Sequence, residues 1–386
     1  MDWIYKIIMK INWQIKKLGE IGTIFNGNSI NEKIKKEKYL GLREGLPFIA
    51  TKDVDFETHI INYENGVKIP FIEKSFKIAH KNSILICSEG GSAGKKIAFN
   101  EKDICFGNKL FAIETNGHTD PKFVYYWYLT PVFFNSFKHQ MNGIIGGVSI
   151  SNFKNIEIPI PPLSEQKRII KILDEVFDKI AKVKENTEKN LQNTKDLFES
   201  YLQGVFTNPG GGWEVVDFEN SIERVVYTNK IQRNKFLQSG KFPVVSQEKD
   251  LINGYWNEEG DLFRVITPVI IFGDHTQILK YIDFDFVLGA DGVKILQPKK
   301  ILQPRFFYYF LRSVNLKNLG YARHYRLLKE KHVFFPKSIS EQKSIVKKLD
   351  VLSAETKKLE AIYRQKLEDL EELKKSVLKK AFSGEL

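Results

Sequence analysis

The sequence has few cysteines, no long apolar run and no complete catalytic signature, and each absence excludes a class of protein. Two cysteines among 386 residues, Cys87 and Cys105, are too few for a disulfide scaffold or a four-cysteine zinc site. Residues 2–10 lack the uninterrupted apolar core of a secretory signal peptide. The most apolar window, residues 123–134, is too short to cross a bilayer. These absences favour a cytoplasmic protein with reduced thiols.

Nucleotide chemistry is not indicated either, although residues 90–96 resemble a glycine-rich phosphate-binding loop. Glu89 stands where that motif has its first glycine, and Lys96 stands where it has a magnesium-binding serine or threonine. A glycine-rich turn can still present Lys95 and Lys96 to a phosphate group without nucleotide chemistry. The methyl-transfer motif and the dinucleotide-binding glycine fingerprint are absent from the sequence.

The ionisable residues give little support for a catalytic or metal site. The seven histidines show neither His-x-x-x-His spacing nor pairing with cysteine, so no metal site is expected. Glu165 and Glu341 each begin a Glu-x-Lys sequence of the type found in metal-dependent nucleases. Both follow prolines at predicted helix starts, where an acidic residue interacts favourably with the helix dipole. We therefore predict no catalytic residue on this chain, and a metal-dependent nuclease is the alternative.

Positive charge is what the sequence has in excess. Its 59 Lys and Arg against 47 Asp and Glu give a net charge of +12, which points to a polyanionic partner. Residues 1–163 and 207–339 each carry +5, whereas residues 164–206 and 340–386 carry 0 and +2. This distribution favours two polyanion-binding modules, because a basic-zipper protein would carry the charge on its helices.

A repeat organises the chain. The sequence Ser-Glu-Gln-Lys that begins at Ser164 recurs at Ser340, an offset of 176, and roughly 43 residues continue in each copy without insertion or deletion. Because loops tolerate insertions at little cost, the unbroken register predicts two helices of matched length. Ser164 and Ser340 are the predicted N-caps, and each helix would be about 65 Å long at 1.5 Å per residue.

Apolar residues in both predicted helices recur at alternating spacings of four and three residues, which is the pattern of a coiled-coil seam. The predicted inter-helix residues are Ile169, Leu173, Val176, Ile180 and Val183 in the first helix and Ile345, Leu349, Leu352, Leu359, Leu370, Leu373 and Val377 in the second. The first seam becomes polar in its middle, at Thr187, Asn190 and Thr194.

Two globular segments precede the helices and resemble one another faintly. Both contain strand-like apolar runs, such as residues 84–86 and 269–271. Both also have a proline-led aromatic segment, residues 121–127 and 304–310, which predicts a short helix with proline in its first turn. The aromatic stripes favour core packing, and base stacking is the alternative. The pattern predicts a duplicated unit of globule and helix in the α+β class.

This duplicated pattern resembles the specificity subunit of type I restriction–modification systems over nearly the whole chain. The resemblance is carried by residues 158–166, which run into the first long helix, and by the second copy at residues 340–342. Further similar segments are residues 242–245, 251–255, 275–277 and 379–386. One departure lies at the second junction, where Pro336 stands alone in place of the double proline Pro161-Pro162.

The resemblance implies two globular α/β target recognition domains separated by two long antiparallel coiled-coil helices, with pseudo-two-fold symmetry. Residues 1–163 and 207–339 would be the recognition domains, and residues 164–206 and 340–386 the spacer helices. Each domain would read one half of a bipartite target in double-stranded DNA, in the cytoplasm of a prokaryote. The helices would set the spacing between half-sites and dock two methyltransferase (modification) subunits.

The resemblance also assigns the chemistry to partner subunits. The modification subunits would bind S-adenosylmethionine and methylate adenine, and a restriction subunit that uses ATP and magnesium for translocation would be a further partner. No cofactor is then expected on this chain. Outside the family, the alternative is a non-DNA scaffold held together by its coiled coil, whose positive charge only keeps it soluble.

Candidate DNA-binding residues are polar side chains in glycine-flanked loops near strand ends, chosen by analogy with the family. They are Asn26, Asn28, Lys95, Lys109 and Asn142 in the first domain and Gln247, His275, Gln277, Arg323, His324, Tyr325 and Arg326 in the second. The segment 321–326 interleaves aromatic and basic side chains, a composition suited to contacts with phosphates and base edges. For each residue, turn chemistry or a phosphate contact is the alternative, and for the basic segment as a whole it is an ordinary solvated loop.

Overall fold

The computed structural model describes residues 13–142, 146–290, 292–320 and 322–386. Residues 2–10, for which no signal peptide is predicted, lie outside these ranges. So does Tyr321 of the basic segment. The chain divides into two compact units, one formed by Met1–Asn186 with Lys366–Leu386 and the other by Thr187–Gln365. The boundaries between the units fall inside the two long helices, so each unit contains a part of both.

The first unit combines short strands with short helices ahead of the first long helix. Its strands are β1 (Gln14–Lys17), β2 (Gly22–Asn26), β3 (Leu46–Ile49), β4 (Lys68–Ile69), β5 (Ile78–Ala79), β6 (Ile84–Cys87), β7 (Ile97–Phe99), β8 (Ile104–Phe106), β9 (Leu110–Thr115) and β10 (Glu157–Ile160). Its helices are α1 (Leu18–Ile21), α2 (Glu32–Ile34), α3 (Pro121–Tyr128), α4 (Pro131–His139), α5 (Ile150–Lys154) and the first part of α6 (Leu163–Thr207). Residues 35–39 form a π-helical turn and residues 51–53 a 3-10 turn.

Two four-stranded sheets form the body of the first unit. One has the antiparallel order β2-β9-β6-β7, and the other has the order β4-β3-β8-β5, in which β3 and β8 are parallel. A separate antiparallel pair joins β1 to β10. Apolar side chains of β6 and β9 are buried on both sheet faces, so helices and the second sheet cover them from opposite sides.

The second unit repeats this arrangement of elements. Its strands are β11 (Trp213–Asp217), β12 (Lys230–Ile231), β13 (Phe242–Val245), β14 (Gly254–Trp256), β15 (Leu262–Phe263), β16 (Val269–Gly273), β17 (Leu279–Ile282), β18 (Phe286–Gly289), β19 (Val293–Leu296) and β20 (His332–Pro336). Its helices are the last part of α6, then α7 (Phe218–Ser221), α8 (Pro304–Ser313), α9 (Tyr325–Lys329) and the first part of α10 (Ile339–Phe382). Short 3-10 turns occupy residues 233–235 and 259–261.

The sheets of the second unit also repeat those of the first. Strands β17-β16-β19 form an antiparallel sheet, and β12-β18-β13-β14 form a mixed sheet to which β15 adds by pairing with β18. The antiparallel pair of β11 and β20 corresponds to the pair of β1 and β10. The faint sequence similarity between the globular segments therefore reflects a duplicated fold.

The proline-led aromatic segments form helices α3 and α8, and their rings are core residues. In the first unit Phe123 is fully buried, and its ring centroid lies 6.3 Å from that of Trp13 and 5.0 Å from that of Phe382. In the second unit the Phe306 ring lies 5.9 Å from that of Trp213 and 5.3 Å from that of Phe206. Each aromatic helix thus packs on the C-terminal end of a long helix, which decides against base stacking for these rings.

The prediction of two long helices is confirmed, with 45 residues in α6 and 44 in α10. They run antiparallel within the first unit, because Arg168 donates to the backbone oxygen of Leu386 while Lys184 lies 2.9 Å from Glu371. The predicted N-caps Ser164 and Ser340 are wrong, since each helix begins one residue before its serine. At the start of α10 the serine that accepts a hydrogen bond from the helix is Ser338, whose hydroxyl oxygen accepts from the Glu341 amide at 3.5 Å.

Candidate nucleic-acid interface

Several strands of the first unit end at the same edge of their sheets, and the loops that leave this edge form the candidate interface. Asn26 at the end of β2 lies opposite Phe111, and Cys87 at the end of β6 lies opposite Leu110, so both strands end beside the start of β9. Strands β3 and β8 end side by side next to them. We call this surface the first loop edge; it comprises residues 26–28, 75–77, 88–96, 107–109 and the described residues of 141–147.

Backbone hydrogen bonds hold the loops of the first loop edge together. The Ser88 amide donates to the Lys109 carbonyl at 2.9 Å, and the Val148 amide donates to the Ser88 carbonyl at the same distance. The Gly90 amide donates to the Gly146 carbonyl at 2.8 Å. Three loops distant in sequence therefore present one continuous surface.

Asn26 and Asn28 use their side chains inside the loop edge. The Asn28 amide oxygen accepts from the Lys77 backbone at 2.8 Å, and its nitrogen donates to the Ser75 carbonyl at 3.2 Å. The Lys77 ammonium donates to the Asn26 amide oxygen at 2.9 Å. Through these bonds both asparagines hold the loop of residues 75–77 in place within the first loop edge.

The remaining candidates of the first unit differ in their surroundings. Lys109 is exposed and its ammonium lies 3.1 Å from a carboxylate oxygen of Glu89, so a phosphate would compete with that carboxylate. Asn142 is exposed beside these two residues, and its amide donates to the Gly147 carbonyl at 2.9 Å. Lys95 is exposed too, but it differs from the rest of the first loop edge because its side chain lines a cleft next to the long helices.

The second unit places its candidate loops at the equivalent edge. Val245 at the end of β13 lies opposite Leu288 near the end of β18, and Gly273 at the end of β16 lies opposite Val293 at the start of β19. We call this surface the second loop edge; it comprises residues 246–253 and 274–278, the described residues of 290–292, and residues 322–326.

The second loop edge is held by the same pair of backbone bonds as the first. The Asp274 amide donates to the Gly292 carbonyl at 2.6 Å, and the His324 amide donates to the Asp274 carbonyl at 2.7 Å. Asp274 therefore has the position that Ser88 has in the first unit. Its carboxylate adds a bond that Ser88 does not make, accepting from the Tyr325 amide at 2.7 Å.

Three predicted residues of the second unit meet at the turn between β16 and β17. The Gln247 amide oxygen accepts from the His275 backbone at 3.2 Å, and Thr276 donates its hydroxyl to the Gln247 carbonyl at 2.7 Å. Gln277 adopts a left-handed conformation with φ of 59°, and its amide donates to the Gly273 carbonyl at 2.7 Å. The side chains of Gln247, His275 and Gln277 are partly exposed around this turn.

The prediction for His324 is wrong, because this side chain is fully buried. Its Nε2 accepts from the Leu319 amide at 3.0 Å, so its Nδ1 carries the hydrogen and donates to the Asp274 carbonyl, also at 3.0 Å. Both ring nitrogens are used inside the domain, as a buried polar group requires. His324 therefore shapes the loop that its neighbours occupy and does not face a ligand.

The neighbours of His324 remain at the surface. Arg323 and Arg326 are exposed, whereas the ring of Tyr325 is partly buried. Lys294 places its ammonium 5.3 Å from the centre of that ring, and burial raises the pKa of Tyr325 to about 12. The two arginines are therefore free to meet an anion beside a tyrosine that stays protonated at neutral pH.

Lys280, which the sequence did not single out, anchors the loop of residues 246–253. Its side chain is buried, and its ammonium donates to the Asp250 carbonyl and, at 2.9 Å, to the amide oxygen of Asn253. Burial lowers the pKa of Lys280 to about 8, and the charges of Glu248 and Asp250 oppose that change.

We expect the stability contribution of Lys280 to depend on pH. Between pH 8 and its ordinary pKa of 10.5 the unfolded chain binds the proton and the folded chain does not, so the free energy of unfolding rises with pH in this window. In urea unfolding, the free energy of unfolding of the wild type should therefore rise relative to that of Lys280→Met as the pH increases from 7 to 10. Exposed Lys249→Met is the control, and an unchanged difference for Lys280→Met would contradict the assignment.

The predicted seam residues fall into three groups by burial. Buried residues are Ile169, Leu173, Ile180, Leu349 and Leu370, and partly buried residues are Val176, Ile345, Leu352 and Val377. Val183, Leu359 and Leu373 are exposed, against the prediction. Lys374 lies inward in place of Leu373, with its ammonium 5.3 Å from the Phe177 ring, and its burial lowers its pKa. A straight helix of 3.6 residues per turn drifts from a strict heptad, which moves such positions outward.

The repeated glutamine of the two long helices has a structural role that sequence reasoning missed. Gln166 is fully buried; its amide oxygen accepts from the Asp120 backbone at 2.8 Å and its nitrogen donates to the Pro161 carbonyl at 2.9 Å. Gln342 makes the matching bonds to Gln303 at 2.7 Å and to Pro336 at 2.9 Å. Asp120 and Gln303 cap helices α3 and α8, so each glutamine fixes an aromatic helix to the start of a long helix.

A repeated aspartate completes each attachment two turns later. The Asp174 carboxylate accepts from the Lys122 ammonium at 2.8 Å and from the Tyr126 hydroxyl. The Asp350 carboxylate accepts from Arg305 at 2.7 Å and from Tyr309 at 2.6 Å. Burial, together with the bond to Asp350, raises the pKa of Tyr309 to about 12. The sequence does contain a sign of this role, because in both repeats an aspartate follows the glutamine by eight residues.

Two other kinds of site are absent from the described residues. Within residues 13–142, 146–290, 292–320 and 322–386, no group of three or more His, Cys, Asp or Glu is arranged to hold a metal ion. Of the helices in these ranges, none combines the length and apolarity needed to cross a membrane.

Comparison with known proteins identifies a family. A family model described as the type I restriction modification DNA specificity domain matches residues 10–193 and 212–369, one copy in each half of the chain. The chain is 23% identical to the type I restriction enzyme MjaVIII specificity subunit of Methanocaldococcus jannaschii, over 97% of this chain and 93% of the relative. It is also 23% identical to the MjaIX specificity subunit of that organism, over 81% and 78%.

Solved structures show the same fold. A chain from a study of complex assembly and conformational transition of the type I R-M system is similar with a TM-score of 0.77 and 17% identity, over 97% of this chain and 98% of that one. The HsdS subunit from Thermoanaerobacter tengcongensis is similar with a TM-score of 0.59 and 17% identity, over 97% of both chains. The predicted class of two repeated α/β domains with long helices is thereby confirmed.

Proposed function

The chain belongs to the type I restriction modification DNA specificity family, and from that membership we propose that its two loop edges bind the two halves of one bipartite target in duplex DNA. As a member of the family it is a DNA target-recognition subunit and is not itself the catalyst. We assign the recognition domains to residues 1–163 and 207–339 and the spacer helices to residues 164–206 and 340–386.

The observation that carries this proposal is the loop edge that occurs twice. The bonds that Ser88 makes in the first unit are made by Asp274 in the second, so both units present equivalent surfaces. The side chains on these surfaces differ, with Lys109 and Asn142 in one and Gln247 and His275 in the other. Equivalent surfaces with different side chains suit two half-sites of different sequence.

Charge supports DNA as the ligand of these surfaces. The segments 1–163 and 207–339 carry +5 each, and exposed Arg323 and Arg326 lie at the second loop edge. Arginine binds phosphate oxygens and can form two hydrogen bonds with guanine in the major groove. We therefore assign phosphate or guanine contacts to these arginines, and base contacts to Gln247, His275 and Gln277.

The long helices are proposed to set the spacing and to dock two methyltransferase subunits. Apolar side chains on them remain exposed, among them Leu197, Val351 and Ile362 in the second unit and Leu373 in the first. Exposed apolar side chains on otherwise polar helices favour a protein partner. S-adenosylmethionine would be bound by these methyltransferase subunits, and ATP and magnesium by a restriction subunit, in the cytoplasm of a prokaryote.

Co-expression with a type I methyltransferase subunit tests the proposal. We expect the two proteins to co-purify, to bind specific duplex DNA with strong salt dependence, and to methylate adenines in a split sequence mapped by sequencing. Metal-dependent cleavage by the isolated chain would favour the nuclease alternative. Failure to bind DNA with the partner present would favour a scaffold.

Arg323→Ala is expected to weaken binding about 5- to 150-fold, or to relax one half-site, since one base contact of this type contributes about 1–3 kcal/mol. The other half-site should be unaffected because it is bound by the other unit. Methylome mapping of the variant measures both effects. Lys337→Ala, an exposed lysine after β20 and away from the loop edge, is the control. Unchanged affinity and methylation in Arg323→Ala would remove this residue from the interface.

A further inference from the structure

Two adjacent apolar side chains are exposed in the loop of the second loop edge that also carries Gln247. Leu251 is 49% exposed and Ile252 is 39% exposed. Their loop begins where β13 ends, beside the end of β18, so it leaves the domain together with the candidate base contacts. An adjacent pair of exposed apolar side chains beside polar candidate base contacts can pack against an apolar group of bound DNA.

Hydrogen bonds fix this loop on both sides of the apolar pair. The Lys280 ammonium holds the Asp250 carbonyl immediately before it and the Asn253 side chain immediately after it. The Asn253 amide oxygen also accepts from the Ser246 amide at 2.8 Å, which closes the loop at its base. Leu251 and Ile252 are therefore presented by a pre-organised loop, and ordering it on binding costs little entropy.

We propose that Leu251 and Ile252 recognise thymine by packing against its 5-methyl group in the major groove of the half-site bound by the second unit. The inference rests on the proposed DNA-binding function and specifies how one half-site is read. Thymine alone carries a methyl group at this edge of the major groove, where cytosine has only a hydrogen atom, so an apolar contact there is base-specific. Gln247 on the same loop supplies hydrogen bonds for neighbouring base edges, which makes the loop a combined polar and apolar reader.

The test removes the methyl group from DNA and the apolar side chains from the protein. Each thymine of the second half-site is replaced in turn by uracil, and the affinity of the methyltransferase complex is measured by fluorescence anisotropy. Wild type should lose about fourfold at one or two positions, the value of one buried methyl group. A Leu251→Ala, Ile252→Ala double variant should bind the thymine duplex more weakly and should not distinguish it from the uracil duplex.

Ile266→Ala is the matched control, because Ile266 is 97% exposed and precedes β16 at the end of the strand away from the loop edge. This variant should bind both duplexes as wild type does. A half-site without thymine, a wild type indifferent to uracil, or a double variant that still distinguishes the two duplexes would each overturn the inference. Those results leave the proposed function intact, which fails only if the wild-type complex does not bind its specific duplex at all.

Discussion

A seven-residue insertion in each long helix, placed after Asn186 and after Gln365, is expected to lengthen the unread spacer of the methylated target by about three base pairs. Seven residues add roughly 10 Å of helix, and each base pair adds about 3.4 Å of duplex. Both half-sites should stay the same, because the boundaries between the two units lie at these two positions and the contacts inside each unit are kept. A seven-residue insertion also preserves the heptad seam.

The same insertion in α6 alone is the control for this prediction. An insertion in α6 alone shifts the seam residues of this helix relative to those of α10. We therefore expect loss of the assembled complex and no methylation. A methylome recorded from cells that express each variant gives the half-sites and the spacer together. Altered half-sites with an unchanged spacer would contradict the role proposed for the helices.

Phe123→Ala is expected to destabilise the first unit by about 3–5 kcal/mol, the usual cost of deleting a buried aromatic ring. The ring is fully buried between Trp13 and the end of the second long helix at Phe382. Recognition of the first half-site should be lost with the packing, since the aromatic helix connects the loop-bearing sheets to α6. Hydrogen exchange followed by mass spectrometry reports the two units separately and should show lost protection in the first only.

Two variants make the Phe123 result interpretable. Phe56→Ala removes a ring that is 51% exposed in the same unit, and it should change the free energy of unfolding by less than about 1 kcal/mol. Phe306→Ala removes the equivalent buried ring of the second unit. It should reduce protection against hydrogen exchange in the second unit and leave the first unit unchanged. Equal loss of protection in both units for Phe123→Ala would contradict its assignment to the first unit.

The long helices were predictable because the repeat constrains them twice. The copies that begin at Ser164 and Ser340 align without insertion or deletion. A continuous helix requires such constancy of length, whereas a loop does not. The inward position of Lys374 was not predictable, since a lysine with a long apolar stem can cover a ring while a pattern of apolar letters places Leu373 there. Helix pairing is thus legible from sequence, whereas the exact seam depends on the local twist of each helix.

The loop edges could be predicted only in part. Glycine-flanked polar residues pointed to the loops around Gln247 and Gln277, which the structure brings together at one turn, because turn chemistry is local. Which strands end side by side depends on sheet order, and crossings such as the parallel pairing of β13 with β18 join residues about 40 positions apart. The prediction for His324 was wrong for the same reason, since the Asp274 carbonyl that its buried ring contacts lies at the end of a strand about 50 residues away in sequence.

The division of the chain into units has a consequence for its synthesis. The second unit is a continuous stretch, Thr187–Gln365, and has all its residues once the ribosome has passed that point. The first unit is begun earlier but lacks Lys366–Leu386 until every residue of the second unit has been made. Phe123 must therefore wait for Phe382, which follows every residue of the second unit, so the unit whose translation starts first completes its core after the other.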